Sequence, residues 1–131
     1  MSKRRVVVTG LGIVSPVGST VQGAWDGILR GESGIGPIKR FDVSAFPTRF
    51  AGEVRDFDVT KYLSPKEARR MDPFMHYGLG AGVQAVEDSG TDFAKLDVTR
   101  CGAIMGSGIG GLEGIEHTVT DYVGTKDPRK I

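Results

Sequence analysis

The chain repeats one order twice: a short apolar run, a glycine-punctuated turn, then apolar residues at helical spacing. Residues 4–9, RRVVVT, pass through GLGIVSPVG to Val21, Ala24, Trp25, Ile28 and Leu29. Residues 101–107, CGAIMGS, pass through GIGG to Leu112, Ile115, Val119, Tyr122 and Val123. A continuous β-branched or apolar run reads as a buried strand. Spacings of three and four place the later residues on one helix face. Strands alternating with helices predict an α/β fold built on a largely parallel sheet.

The signals between these units are local. Ser19 with Gln22 reads as a capping box opening the first helix, and Gly31 falls in the place that closes it. Residues 32–60 are punctuated by Gly, Pro and Ser. One brief alternation, Phe50, Gly52 and Val54, predicts a short peripheral strand there. Ser64, Pro65 and Glu67 form a second capping box on a brief helix. Asp72 as cap and Pro73 at the first helical position start a longer helix over 73–89, ended by Gly90. Gly78, Gly82 and Ala85 would let that helix lie close to a neighbouring backbone. The last stripe is expected to end at Gly124. Two strands cannot cover three or four helices, and the basic loop GTKDPRKI resembles the entry to another element. The expectation is therefore a fragment of a longer chain.

Composition narrows the function classes. With 17 basic and 16 acidic residues the net charge is +1, so bulk charge argues for neither nucleic acid nor a membrane surface. One cysteine excludes an internal disulfide framework and fits a reducing, cytoplasmic setting. No apolar stretch approaches the roughly 20 residues of a membrane span.

Gly106, Gly108 and Gly111 satisfy G-x-G-x-x-G, and TGLGIVS nearly does. A dinucleotide site also needs an acidic residue about 20 positions on, at the end of a further strand. After Gly12 the candidate is Glu32, in a GESG loop with no strand before it. After Gly111 the chain ends first. The match is weak. Cys101 opens an apolar run and reads as a small buried hydrophobe. His76 and His117 have no neighbours that suggest a dyad or metal spacing. Lys66, Arg69 and Arg70 share one helix face, and Arg129 with Lys130 forms a second basic pair. Spacing alone favours an ordinary solvated face for them.

RRVVVTGLGIVSPVG, Trp25, the SGI at 33–35, RRMDPFMHYGLGAGVQAVEDSG and GSGIGG together resemble the β-ketoacyl-[acyl-carrier-protein] synthases, specifically the chain-elongating type II enzymes of bacterial fatty acid synthesis. The resemblance runs from Lys3 to Ile131. It implies a thiolase-like fold, five-layered αβαβα in a homodimeric enzyme, with residues 1–131 at the start of its N-terminal half. It also implies acyl transfer to a cysteine, decarboxylation of a malonyl thioester and condensation, with phosphopantetheine arriving on the acyl carrier protein and no other cofactor or metal.

The family's cysteine and two histidines fall beyond Ile131, so the 131 residues alone are expected to be inactive; Cys101, His76 and His117 do not match those motifs. Two roles carry over by resemblance. Ile109, with Gly108 beside it, matches the residue lining the acyl pocket. Lys66, Arg69, Arg70, Arg129 and Lys130 match basic positions that meet the acidic carrier protein, which reverses the preference from spacing. A dinucleotide-binding oxidoreductase, a non-catalytic chain-length partner and a polyketide synthase domain are the alternatives.

Overall fold

The computed structural model describes residues 3–130, with the side chain of Lys130 outside the described residues. Its regular elements are α1 (Val21–Leu29), β1 (Ile35–Pro37), β2 (Phe50–Gly52), α2 (Pro65–Ala68), α3 (Pro73–Asp88) and α4 (Leu112–Thr125). Short 3-10 turns occupy Val59–Lys61, Phe93–Lys95, Val98–Arg100 and Pro128–Lys130.

Helix α3 is met by several of the loops. Its Gly80 is buried beneath the Phe57 ring. Phe57 stacks on Tyr62 with centroids 5.5 Å apart and meets Tyr77 edge-on at 5.3 Å. Such pairs contribute about 0.5–1.5 kcal/mol beyond their burial. Farther along, Gln84 Nε2 donates to the Ser19 carbonyl (2.9 Å) and to the Tyr62 hydroxyl (3.1 Å). One side chain thus joins α3, the aromatic cluster and the entry to α1.

The first glycine turn lies against the same helix. Cβ atoms on Gly10 and Gly12 would overlap the carbonyls of Ala85 and Ala81. The adjacent amides are tied down as well, Leu11 N–H donating to Asp88 Oδ2 (2.9 Å) and Ile13 N–H to Gln84 Oε1 (3.4 Å).

Several helix ends follow the sequence signals. Ser64 and Glu67 form a reciprocal capping box with Pro65 at the first helical position of α2. Gly31 and Gly90 follow α1 and α3 with φ of 68° and 60°, the left-handed conformation that favours glycine. Others differ. The cap of α1 is Thr20, whose hydroxyl accepts from Gly23 N–H at 3.1 Å. Ser19 stands one residue too early, and Gln22 bonds Asp26 instead. Helix α4 runs one residue past Gly124 and ends on Lys126, itself left-handed at φ 54°. Gly82 faces open space, whereas Gly78 meets the end of Met105.

The expected strands at 4–9 and 101–107 form no ladder among the described residues, whose single sheet is the antiparallel pair β1–β2. Val6 is 86% exposed and Ile104 99% exposed. A buried parallel strand needs hydrogen-bonding neighbours and a layer on each face. These segments have the composition for that role without the surroundings. Cys101 shares their situation and is exposed rather than buried. The alternation at 50–54 does produce β2, paired with β1 through Ile35 opposite Gly52 and Pro37 opposite Phe50.

Candidate functional site

The second glycine turn joins residues 101–107 to α4 and sits at the foot of α3. Gly110 takes φ 81°, a conformation open to glycine, with the Phe74 ring 3.8 Å from where its Cβ would be. Among the clefts around the turn, two differ in character. One, about 360 Å³, is apolar and lined by Met71, Phe74, Met75, Leu79, Met105 and Gly106. The other, about 260 Å³, is charged and lined by Arg40, Asp72, Tyr77, Gly110, Gly111 and Glu113. Phe74 forms part of both. Ile109 lies between the stretches that line them and is 74% exposed, with Gly108 exposed beside it.

Charge converges on the first turn of α4. Arg40 Nη2 meets Glu113 Oε2 at 3.1 Å, and Glu113 Oε1 lies 3.9 Å from His117 Nε2. Arg40 is placed by the β1–β2 hairpin, because Glu53 accepts from the Lys39 and Arg40 amides at 3.0 and 3.1 Å. Asp72 stands at the start of α3, where its carbonyl accepts from the Met75 amide (2.9 Å), but its side chain makes no capping bond. Its carboxylate instead abuts Gly111 and Gly114.

This arrangement bears on the G-x-G-x-x-G match. A pyrophosphate needs free amides at a helix start. In the first turn, the Leu11 and Ile13 amides are taken by Asp88 and Gln84. In the second, a carboxylate already faces the beginning of α4. Neither turn offers a dinucleotide cradle. In the first, Gly10 and Gly12 serve close backbone packing, whereas in the second Gly111 makes room for a carboxylate and Gly106 and Gly108 face open space.

The basic residues fall into two groups. Lys66 lies on α2, Arg69 is its C-cap with Nε donating to the Pro65 carbonyl (3.1 Å), and Arg70 follows in the next turn. All three are exposed, and among the described residues none is in an ion pair. Glu67, the nearest acid, is engaged by its cap. Its bond with the Ser64 hydroxyl, then that with the Ser64 amide, holds its carboxyl below the ordinary value. Arg129 sits in the 3-10 turn after α4, paired through Nε and Nη2 with Asp127 (3.1 and 3.2 Å). That pairing lowers the Asp127 pKa. The Lys130 side chain lies outside the described residues.

His76 Nε2 is 2.9 Å from the Ala68 carbonyl, a bond between α3 and α2, and His117 is exposed on α4. Cys101 Sγ lies 3.7 Å from the Asp97 carbonyl with no basic partner. Among the described residues no group of three potential ligands gathers for a metal, and no helix is long and apolar enough to cross a membrane. Arg40 and Phe74 escaped the sequence reading. Arg40 lies in an irregular segment without periodicity, and Phe74 follows a helix cap that accounted for its neighbourhood.

A helix with two glycine turns packed at its ends is the opening of a thiolase-like α/β fold. A solved ishigamide ketosynthase/chain length factor superposes with a TM-score of 0.81 at 29% identity, covering 99% of this chain and 32% of that one. A type II PKS acyl-carrier protein in complex with its ketosynthase bound to the hexaketide gives 0.72 at 30% identity, covering 92% and 31%. Residues 3–130 match the model of the β-ketoacyl synthase N-terminal domain, and the chain belongs to that family. It is 53% identical over 131 residues to 3-oxoacyl-[acyl-carrier-protein] synthase 2 of Vibrio harveyi and 48% identical to that of Coxiella burnetii. It spans all of its own length but 31% of theirs.

Proposed function

We propose that the protein carrying this chain is a 3-oxoacyl-[acyl-carrier-protein] synthase of bacterial type II fatty acid synthesis. The observation that carries this is the 53% identity, over all 131 residues of this chain, to a relative of that name. In this reading an acyl group passes from the carrier's phosphopantetheine thiol to an enzyme cysteine. Malonyl carrier protein then loses carbon dioxide, and the carbanion attacks the acyl thioester. A carbon–carbon bond forms, the cysteine leaves as thiolate, and the product is longer by two carbons. The step requires an activated thiolate, histidines supporting decarboxylation and donors for the oxyanion. The cysteine and histidines come from outside these 131 residues. Cys101, His76 and His117 have other surroundings. The chain forms the beginning of the first thiolase-like half of a cytoplasmic homodimer that needs no metal or resident cofactor.

Within the chain, Ile109 and Gly108 border the acyl pocket. The adjacent apolar cleft of about 360 Å³ supports this, because apolar walls suit a methylene chain. Lys66, Arg69, Arg70, Arg129 and Lys130 meet the acyl carrier protein. The unpaired state of the first three supports that role, since unneutralised exposed charge steers an acidic partner.

The structural neighbours favour a second reading, a polyketide ketosynthase or chain-length partner, at lower identity. The purified protein carrying this chain, given acyl and malonyl carrier proteins, should release carbon dioxide and yield a 3-oxoacyl product. The absence of both decarboxylation and acyl transfer would overturn the synthase reading. Repeated condensation without reduction would favour the second.

A further inference from the structure

Helix α4 begins without a capping side chain of its own. Gly111 holds its N-cap position and makes no side-chain bond. The first amides of a helix lack partners within it and carry partial positive charge. Besides Glu113 in that first turn, the Asp72 carboxylate packs there from another element, by proximity and without a hydrogen bond to the α4 amides. Asp72 stands at the N-cap of α3, yet its carboxylate makes no capping bond there. The oxygens would lie 2.9 and 3.1 Å from a Cβ on Gly114, and a Cβ on Gly111 would overlap one of them. Glycine at both positions makes room for the carboxylate. The Arg40–Glu113 pair ties the same turn from the hairpin side at 3.1 Å.

We infer that Asp72 is a positioning residue for Ile109. Its carboxylate, set between the beginnings of α3 and α4, holds the α4 N-terminus in register. The glycine turn leading into α4 carries Ile109, so the same contact fixes where that side chain meets an acyl group. The acyl part rests on the synthase reading, whereas the anchoring is geometric.

Two variants of the full-length protein test this. Asp72→Ala removes the carboxylate, and Gly114→Ala crowds it while improving helix propensity. Hydrogen exchange over residues 106–114 should quicken several-fold in both, with α1 unchanged. The ratio of kcat/KM for long against short acyl carrier substrates should shift several-fold, in the same direction for both. Asp72→Asn, which keeps the shape and one acceptor oxygen, should restore most of the wild-type ratio. Unchanged exchange would overturn the anchoring. Faster exchange with an equal loss for every acyl length would overturn the link to Ile109. A wild-type protein that condenses nothing would defeat the synthase reading, while the exchange data would still decide what Asp72 holds.

Discussion

Gly12 lies so close to Ala81 on α3 that a Cβ would overlap the Ala81 carbonyl oxygen and sit 2.8 Å from the Ala85 amide. The contact explains why the first turn needs glycine without any ligand. It also sets the depth at which residues 9–13 rest on α3. Gly12→Ala should therefore destabilise the protein by about 1–3 kcal/mol, the usual cost of forcing extra volume into packed surroundings. Chemical denaturation would measure it, and an unchanged midpoint would refute the close approach.

The exposed arginines after α2 define a docking prediction. Arg69→Glu with Arg70→Glu should cost about 1–2 kcal/mol in carrier-protein binding at low salt, roughly tenfold in Kd. Neither side chain touches the aromatic cluster around Phe57, so the thermal midpoint should hold. The difference should shrink as salt rises. Titration calorimetry at two ionic strengths gives the answer, and equal affinities at low salt would remove this face from the interface.

Ile109→Phe should restrict acyl length. If Ile109 borders the acyl pocket as proposed, the added volume crowds a long chain, and overpacking of about 1–3 kcal/mol is roughly tenfold or more in kcat/KM for long substrates. Short acyl groups should be spared. A substrate series on the protein carrying this chain would show the split, and a flat profile would contradict the pocket role.

Glu67 gives a pH dependence with a definite sign. Its carboxyl is held below the ordinary value by Ser64, so folding binds fewer protons at this group than unfolding does. The cap contributes fully above the ordinary carboxylate range, and the contribution is lost as pH falls through the lowered folded value. Glu67→Gln should flatten that part of the acid limb in a pH series of thermal melts. An acid limb identical to wild type would show the cap to be without weight.

Local chemistry was largely legible in the sequence. The Ser64–Glu67 box, Pro65 and Pro73 at helix starts, and Gly31 and Gly90 at helix ends all depend on residues within one turn of each other. The same locality misplaced the first cap by one residue, because Ser19 and Thr20 have similar chemistry and only the backbone direction separates them. The strands were legible as composition and not as structure, since a ladder belongs to two segments at once. Of the candidate site, the motif GSGIGG marks the turn that enters α4. Phe74 and Arg40, which border it, carry no periodic or spacing signal.

The order of residues by itself determined the helices, most of their ends and the family, because these rest on propensity, capping and patterns read along one chain. Tertiary structure alone decided that Gly10 and Gly12 press on α3, that Asp88 and Gln84 occupy their neighbours' amides, and that the Asp72 carboxylate lies against Gly111 and Gly114. Each of those contacts joins residues far apart in sequence, up to 77 positions for Leu11 and Asp88. A short-range pattern holds no record of which distant group fills a gap. Packing and charge settle that only when the elements meet.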